Sequence, residues 1–249
     1  MKISIITVTF NAAGTIADTL ASVACQTHPD IEHIVVDGAS TDDTLEIIRQ
    51  RGQHVSQTIS EPDRGIYDAM NKGLGMATGS VIGFLNADDV YAGPTVLERV
   101  SAIIEKDKLD AIFGDAEFFS PDRPNRPLRL YRSARFRPEL IAWGWMPAHP
   151  SLFLGRHVYE RFGAFKTDYR IAGDFELIAR VFHSGTLEYR YLPDVLVRMR
   201  TGGVSTGGWR NSLLLNREVL QACRENDIPT NLWKILSKYP AKVLEFLHK

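Results

Sequence analysis

The sequence has little cysteine, no long apolar run and almost no net charge. Its two cysteines, Cys25 and Cys223, lie far apart, without the close spacing of a metal-binding pair. This excludes a disulfide framework and a cysteine-ligated zinc as organising features. Reduced thiols fit a cytosolic setting. No apolar stretch approaches the about 20 residues that span a bilayer. The run from Ile3 to Phe10 imitates a signal peptide, with Ala12, Ala13 and Gly14 behind it, but it is short and broken by Ser4, Thr7 and Thr9. A formal charge of −1 over 249 residues gives no global attraction to nucleic acid. Two phosphate-binding signatures are missing as well: the turn Phe10-Asn11-Ala12-Ala13-Gly14 lacks G-x-G-x-x-G spacing, and there is no P-loop. No repeat or low-complexity tract stands out.

What is present is ordinary globular composition, 44% hydrophobic and 24% charged, enough for a sizeable core. The charge is segregated. Residues 1–120 carry 8 Lys and Arg against 18 Asp and Glu, while residues 121–249 carry 21 against 12. An acidic half suits a divalent cation, and a basic half suits a phosphate-bearing ligand or an anionic membrane surface. Mutual attraction of the two halves is the plainer alternative.

The segments 3–10, 31–36, 55–60 and 80–85 read as strands. Helical spacing follows each of them, in segments opening at Thr15, at Ser40 to Asp42, at Ile66 and at Pro94. Four alternations with short connections predict a mostly parallel sheet with helices on both faces. In such sheets ligands bind beyond the carboxyl ends of the strands. Polar clusters fall there: Thr9 to Asn11, Asp37-Gly38, Glu61 to Arg64, and Asn86-Ala87-Asp88-Asp89. The last cluster ends the apolar run Val81 to Leu85. Alone it fits either a turn with capping aspartates or a set of hard oxygen ligands. A bound nucleotide would need a counter-charge for its phosphates, and a metal held by Asp88 would supply it.

A further strand is expected at 110–118. Residues 121–138 hold four prolines and six arginines and read as an exposed, semi-extended excursion, either solvated or in contact with phosphate or membrane. The aromatic loop 143–150 contains His149, and a short strand at 151–154 and a helix at 156–162 follow. Asp174 opens the next helix, where capping is its simplest role. Two short strands near 187–192 and 195–200, a glycine-rich loop at 201–208 and a helix from Trp209 to Asn226 complete the body. The tail, 229–249, is amphipathic and suits docking on the domain or lying on an anionic membrane.

In this order the motifs Ile5 to Asn11, Val35 to Asp42, Glu61 to Gly73, Leu85 to Asp89 and Ala172 to Glu176 resemble family 2 glycosyltransferases of the GT-A fold. The resemblance covers residues 1–180 and matches the remainder loosely. It implies inverting transfer of a sugar from a nucleotide-sugar, with a lean to UDP, to an acceptor hydroxyl, and an Asp-x-Asp motif holding a divalent metal (Mn2+ or Mg2+) against the diphosphate. Asn86 replaces the first Asp of that motif, which leaves Asp88 as the expected metal ligand. By the same resemblance Asp37 contacts the nucleobase, Thr9, Asn11, Asp63 and Arg64 line the nucleoside pocket with Asn86 and Ala87 also at the donor, and Asp174 is the general base. His149 is a candidate metal ligand, acceptor contact or structural histidine. Arg198, Arg200 and the glycine-rich loop are candidates to close on the diphosphate.

The expected organisation is a donor-binding part at 1–118, an acceptor and catalytic-base part at 119–228 within the same domain, and an amphipathic helix at 229–249. The expected acceptor is a saccharide or lipid-linked saccharide of surface polysaccharide biosynthesis. The expected location is cytoplasmic, peripheral on the inner membrane face, with no nucleic-acid partner. Two other functions compete. A non-catalytic nucleotide-sugar-binding protein would keep the sheet and lose turnover. A nucleotidyltransferase would want a Gly-rich, Arg- or Lys-bearing turn after the first strand, which residues 11–15 do not provide.

Overall fold

A computed structural model describes residues 1–202 and 208–237 of the chain. The alternation expected from the sequence is present: β1 (Ile3–Thr9), α1 (Ile16–Ala24), β2 (Ile31–Asp37), α2 (Thr44–Arg51), β3 (Val55–Ser60), α3 (Ile66–Met76), β4 (Val81–Phe84), β5 (Asp89–Tyr91) and α4 (Val96–Asp107). β6 (Ala111–Ser120), β7 (Arg123–Tyr131), β8 (Leu152–Gly155), α5 (Arg156–Phe162), α6 (Gly173–His183), β9 (Tyr189–Arg200), α7 (Gly208–Glu225) and α8 (Leu232–Leu236) follow. Among the described residues the strands form one nine-stranded sheet in the order β3-β2-β1-β4-β8-β6-β9-β5, with β7 paired to β6.

β1 is parallel to β2 and β4, β2 to β3, and β6 to β9. β8 runs against both β4 and β6, β5 runs against β9, and β7 runs against β6. The sheet is therefore mostly parallel with antiparallel insertions. β1 reads as a continuous apolar run because both faces are covered. Ile6 and Val8 point into the core shared with α3 and α6, while Ile3 and Ile5 point into the core shared with α4.

The two ends of the parallel strands differ. At the amino ends, buried Glu32 accepts hydrogen bonds from Ser4, from the Thr78 backbone and hydroxyl, and from Lys2. Burial pushes its carboxyl up, but these donors outweigh burial and bring it down to about 2. That network is closed. The carboxyl ends carry the polar clusters.

Three expectations change. Residues 123–131 are a strand rather than an unpaired excursion, although Arg123, Arg126, Arg132, Arg135 and Arg137 are exposed as expected. The two short strands at 187–192 and 195–200 are one strand, whose pairing with β6 shifts between Phe113 and Asp115. Asp174 is the second residue of α6 and not its cap; the cap position belongs to Ala172. The centre of the glycine-rich loop, residues 203–207, and the tail from 238 lie outside the described residues. Among the described residues no helix is long and apolar enough to cross a membrane.

Candidate functional site

The nucleoside-side cluster forms where β1 and β2 end together, with Thr9 registered against Asp37. Asp37 is fully buried. Its oxygens accept the Ser40 backbone N–H (3.0 Å), the Ser40 hydroxyl and the Ser60 hydroxyl (2.6 Å). It therefore ties the turn after β2 to the end of β3. Asn11, in the left-handed region at φ 49°, accepts the Thr41 N–H at 2.9 Å, and its own N–H donates to Ser40 Oγ at 2.7 Å. Gly38 lies beneath Asp63 and Phe10: a Cβ there would sit 2.4 Å from Asp63 Oδ2 and 3.4 Å from the Phe10 ring. Thr9, Asn11, Asp37 and Asp63 are thus brought together, with exposed Phe10 at the rim. The buried Thr9 hydroxyl lacks a hydrogen-bond partner in this state. Arg64 is exposed and paired with Asp68 at 3.2 Å.

The Asn86 to Asp89 turn leaves β4 beside β1 and is stitched by Asp89 N–H to Asn86 C=O at 3.0 Å. Its members separate. Asp89 is buried; its carboxylate accepts the Arg200 N–H, and its carbonyl accepts the Thr19 hydroxyl at 2.8 Å. Burial and the neighbouring Asp88 raise its carboxyl well above the usual range. Ala87 packs with Ile16, Leu20, Val35 and Ile48. The Asn86 Oδ1 is buried without a partner. Asp88 is partly exposed; burial raises its carboxyl, its own backbone N–H opposes this, and so does the charge of Arg200. Arg200 also pairs with Asp18 at 2.8 Å, whereas Arg198 pairs with Glu117 at 2.6 Å.

β8 is reversed, so the turn preceding it, with His149, falls at the same end of the sheet as the turn following β4. His149 stacks on Phe84 at 5.8 Å, and Phe165 meets both rings edge-on. Phe165 in turn stacks on Tyr67 of α3 at 5.7 Å. This ring cluster lies next to Asp174, which accepts the Phe175 N–H at 2.8 Å and the Tyr67 hydroxyl at 3.4 Å. Burial raises the Asp174 carboxyl, opposed by His149; burial likewise lowers the His149 imidazole, opposed by Asp174. A carboxylate reluctant to ionise, held by a phenol and a backbone N–H, has the character of a general base.

Among the described residues no three His, Cys, Asp or Glu side chains gather as a metal cluster. The donors present still fit a hard cation that keeps its waters and binds through one carboxylate plus substrate phosphates: Asp88 is partly exposed on this turn, and the Asn86 Oδ1 two residues before it is left without a partner.

Tyr67, Phe165 and Glu218 join the site only through the fold. Tyr67 lies inside the motif Glu61 to Gly73, and its position there was the one available signal.

The profile described as Glycosyl transferase family 2 matches residues 4–161. A "PGL/p-HBAD biosynthesis glycosyltransferase" of Mycobacterium tuberculosis (strain ATCC 25177 / H37Ra) is 32% identical over 218 residues, covering 81% of this chain and 78% of that protein. The crystal structure of S. aureus TarS 1-349 in complex with UDP-GlcNAc superposes with a TM-score of 0.69 at 19% identity, over 89% of this chain and 66% of that one. A longer TarS structure is spanned over only 39% of its length. The mannosyltransferase PcManGT from Pyrobaculum calidifontis, in complex with GDP-Man and Mn2+, gives 0.67 at 19% identity, over 100% of this chain and 76% of that one. At such identities the solved structures speak for the fold, a GT-A arrangement.

Proposed function

Because the chain belongs to Glycosyl transferase family 2 and is a glycosyltransferase, we propose that it moves a sugar from a nucleotide-sugar to an acceptor hydroxyl with inversion at the anomeric carbon. The proposed donor is a UDP-sugar, and the proposed acceptor is a saccharide or lipid-linked saccharide of surface polysaccharide biosynthesis. The observation that carries the reading is the juxtaposition of Asp174 with the turn after β4 through His149, Phe84, Phe165 and Tyr67.

In this reading residues 1–118 bind the donor. Asp37 anchors the floor of the nucleoside pocket, Thr9, Asn11 and Asp63 line it, Arg64 stands at its rim, and Asn86 and Ala87 shape the turn that presents Asp88. Residues 119–228 hold the acceptor and the base. Asp174 takes the acceptor hydroxyl proton as the new C–O bond forms, while the bond to the nucleoside diphosphate breaks on the opposite face of the sugar. One base and no enzyme nucleophile suffice for a single displacement. Asp88 would hold an Mg2+ or Mn2+ ion, which when bound neutralises charge on the leaving diphosphate. His149 is offered as a second, weaker contact to that ion or to the acceptor. The location proposed is the cytoplasmic face of a membrane. Exposed Leu213, Leu232 and Trp233 sit beside Arg217 and Lys234 and suit an anionic lipid surface.

A thermal-shift screen of UDP-, GDP- and dTDP-sugars, with and without Mn2+, tests the donor. A UDP-sugar should raise Tm, more so with Mn2+, and Asp88→Ala should remove the Mn2+ increment. Asp174→Asn should keep the donor shift while turnover falls by about 100-fold or more. Absence of stabilisation by every donor would overturn the reading. Undiminished turnover in Asp174→Asn would remove Asp174 from its role.

A further inference from the structure

Glu218 lies in α7 and is 5% exposed. Its carboxylate accepts three consecutive backbone N–H groups: Oε1 takes Arg170 at 2.9 Å, and Oε2 takes Ile171 at 2.9 Å and Ala172 at 2.8 Å. These residues lead directly into α6, and Asp174 is the second residue of that helix. The same turn is held from the other side, where the Tyr67 hydroxyl donates to the Ile171 carbonyl at 2.7 Å and reaches Asp174 Oδ1 at 3.4 Å. The Tyr67 ring packs against Gly173 so closely that a Cβ there would lie 2.7 Å from it. A turn between two elements is ordinarily one of the softer parts of a fold. Here it is fixed by a buried carboxylate and a buried phenol brought in from distant helices.

We propose that Glu218 is a positioning residue for sugar transfer: by gripping the N–H groups of residues 170–172 it sets where the Asp174 carboxylate stands relative to the acceptor hydroxyl, without itself touching substrate. The proposal rests on Asp174 being the base. Its physical basis is the number of acceptors. A carboxylate satisfies three converging N–H groups with charge-assisted bonds. A glutamine presents one oxygen and an NH2 group that cannot accept, so at least one N–H loses its partner and the turn relaxes. A displacement of about 1 Å at a reacting group costs on the order of 100-fold in rate.

The test compares kcat, donor KM, acceptor KM and Tm for the full chain and for Glu218→Gln, Asp174→Asn, the double variant, and Val219→Ala as a control. Val219 is a buried neighbour on α7 outside the site. Glu218→Gln should lower kcat by about 10- to 100-fold, with donor KM within about threefold of the parent. The double variant should turn over no more slowly than Asp174→Asn alone, because both changes act through one carboxylate. Val219→Ala should lose Tm and keep kcat. Amide hydrogen exchange at 170–172 should speed up in Glu218→Gln and not in Val219→Ala. If Glu218→Gln does not fold, Glu218→Asp, which keeps the charge and shortens the reach, should show the same kcat-selective loss. An impaired Asp174→Asn beside a fully active Glu218→Gln would overturn this proposal alone. Full turnover in Asp174→Asn would overturn the base assignment and this proposal with it.

Discussion

Two titratable side chains, Asp174 partly buried and His33 fully buried, have consequences that pH can read. If Asp174 must be ionised to take a proton, burial sets the acid limb of activity: its carboxyl is raised above the ordinary 3.8. The kcat of the enzyme should therefore fall, as pH is lowered, at a pH above that ordinary aspartate value, and Asp174→Asn should show no such limb; a pH–rate profile checks this. His33 acts on stability instead. It is fully buried between the Thr7 hydroxyl (2.9 Å) and His54 (3.1 Å), and burial together with the His54 charge pushes it from 6.5 down to about 3. The folded state holds it neutral, while the unfolded chain takes up a proton near 6.5. Its contribution is thus complete above about 6.5 and is lost as pH falls from there toward about 3. Urea unfolding should lose about 1.4 kcal/mol per pH unit across the upper part of that window, and a His33→Asn variant should lose that much less steeply.

At the scale of elements, α3 shows how closely helix and sheet meet. A Cβ on Gly73 would lie 2.4 Å from Ile6 Cγ2 and 3.2 Å from Val36 Cγ2. Gly73→Ala should therefore cost about 1–3 kcal/mol despite the better helix propensity of alanine, measurable by chemical denaturation. The elements legible in the sequence were those whose pattern is local. β1 is a nearly continuous β-branched run and β2 carries one from Ile34 to Val36, because both faces are buried, and the helices beside them carry apolar stripes. What was not legible depends on a partner elsewhere in the chain. β7 carries prolines and arginines that read as loop, yet it pairs on one side only, with β6, where missing N–H groups are tolerated. The stretches 187–192 and 195–200 flank Pro193, and the ladder of β9 skips that proline through a shift opposite Gly114. The reversal of β8 left no trace, since alternation and composition are blind to strand direction. At the site, Asp88 and the Asp37 turn were readable as polar residues ending apolar runs, and Asp174 through the motif Ala172 to Glu176 that opens a helix. Glu218 was not, because a glutamate in a helix reads as solvated until tertiary structure places three N–H groups against it.

For the molecule as a whole, the segregated charge acquires a geometry. The acidic first half supplies Asp37, Asp63, Asp88 and Asp89, and the basic second half returns Arg200 to that cluster through β9. The surface near α7 and α8 combines an apolar groove of about 530 Å³, lined by Leu213, Leu220, Leu232 and Leu236, with Arg217 and Arg224. Trp233 beside it is 83% exposed. Co-sedimentation should find the protein on vesicles rich in phosphatidylserine and not on phosphatidylcholine alone, and Trp233→Ser with Leu232→Ser should release it; equal recovery on both lipids would remove the membrane from the proposal. The sheet topology also bears on how the chain is made. β1 is synthesised well before β4, which alone completes one of its flanks, and β6 waits just as long for β9. Until then Ile3, Ile5 and Ile6 border an open strand edge. Such late pairing predicts slow folding and a nascent chain that is prone to stick before its second half arrives. Refolding from urea should then be slow and limited by protein concentration, while co-translational synthesis with a holdase should raise the soluble yield.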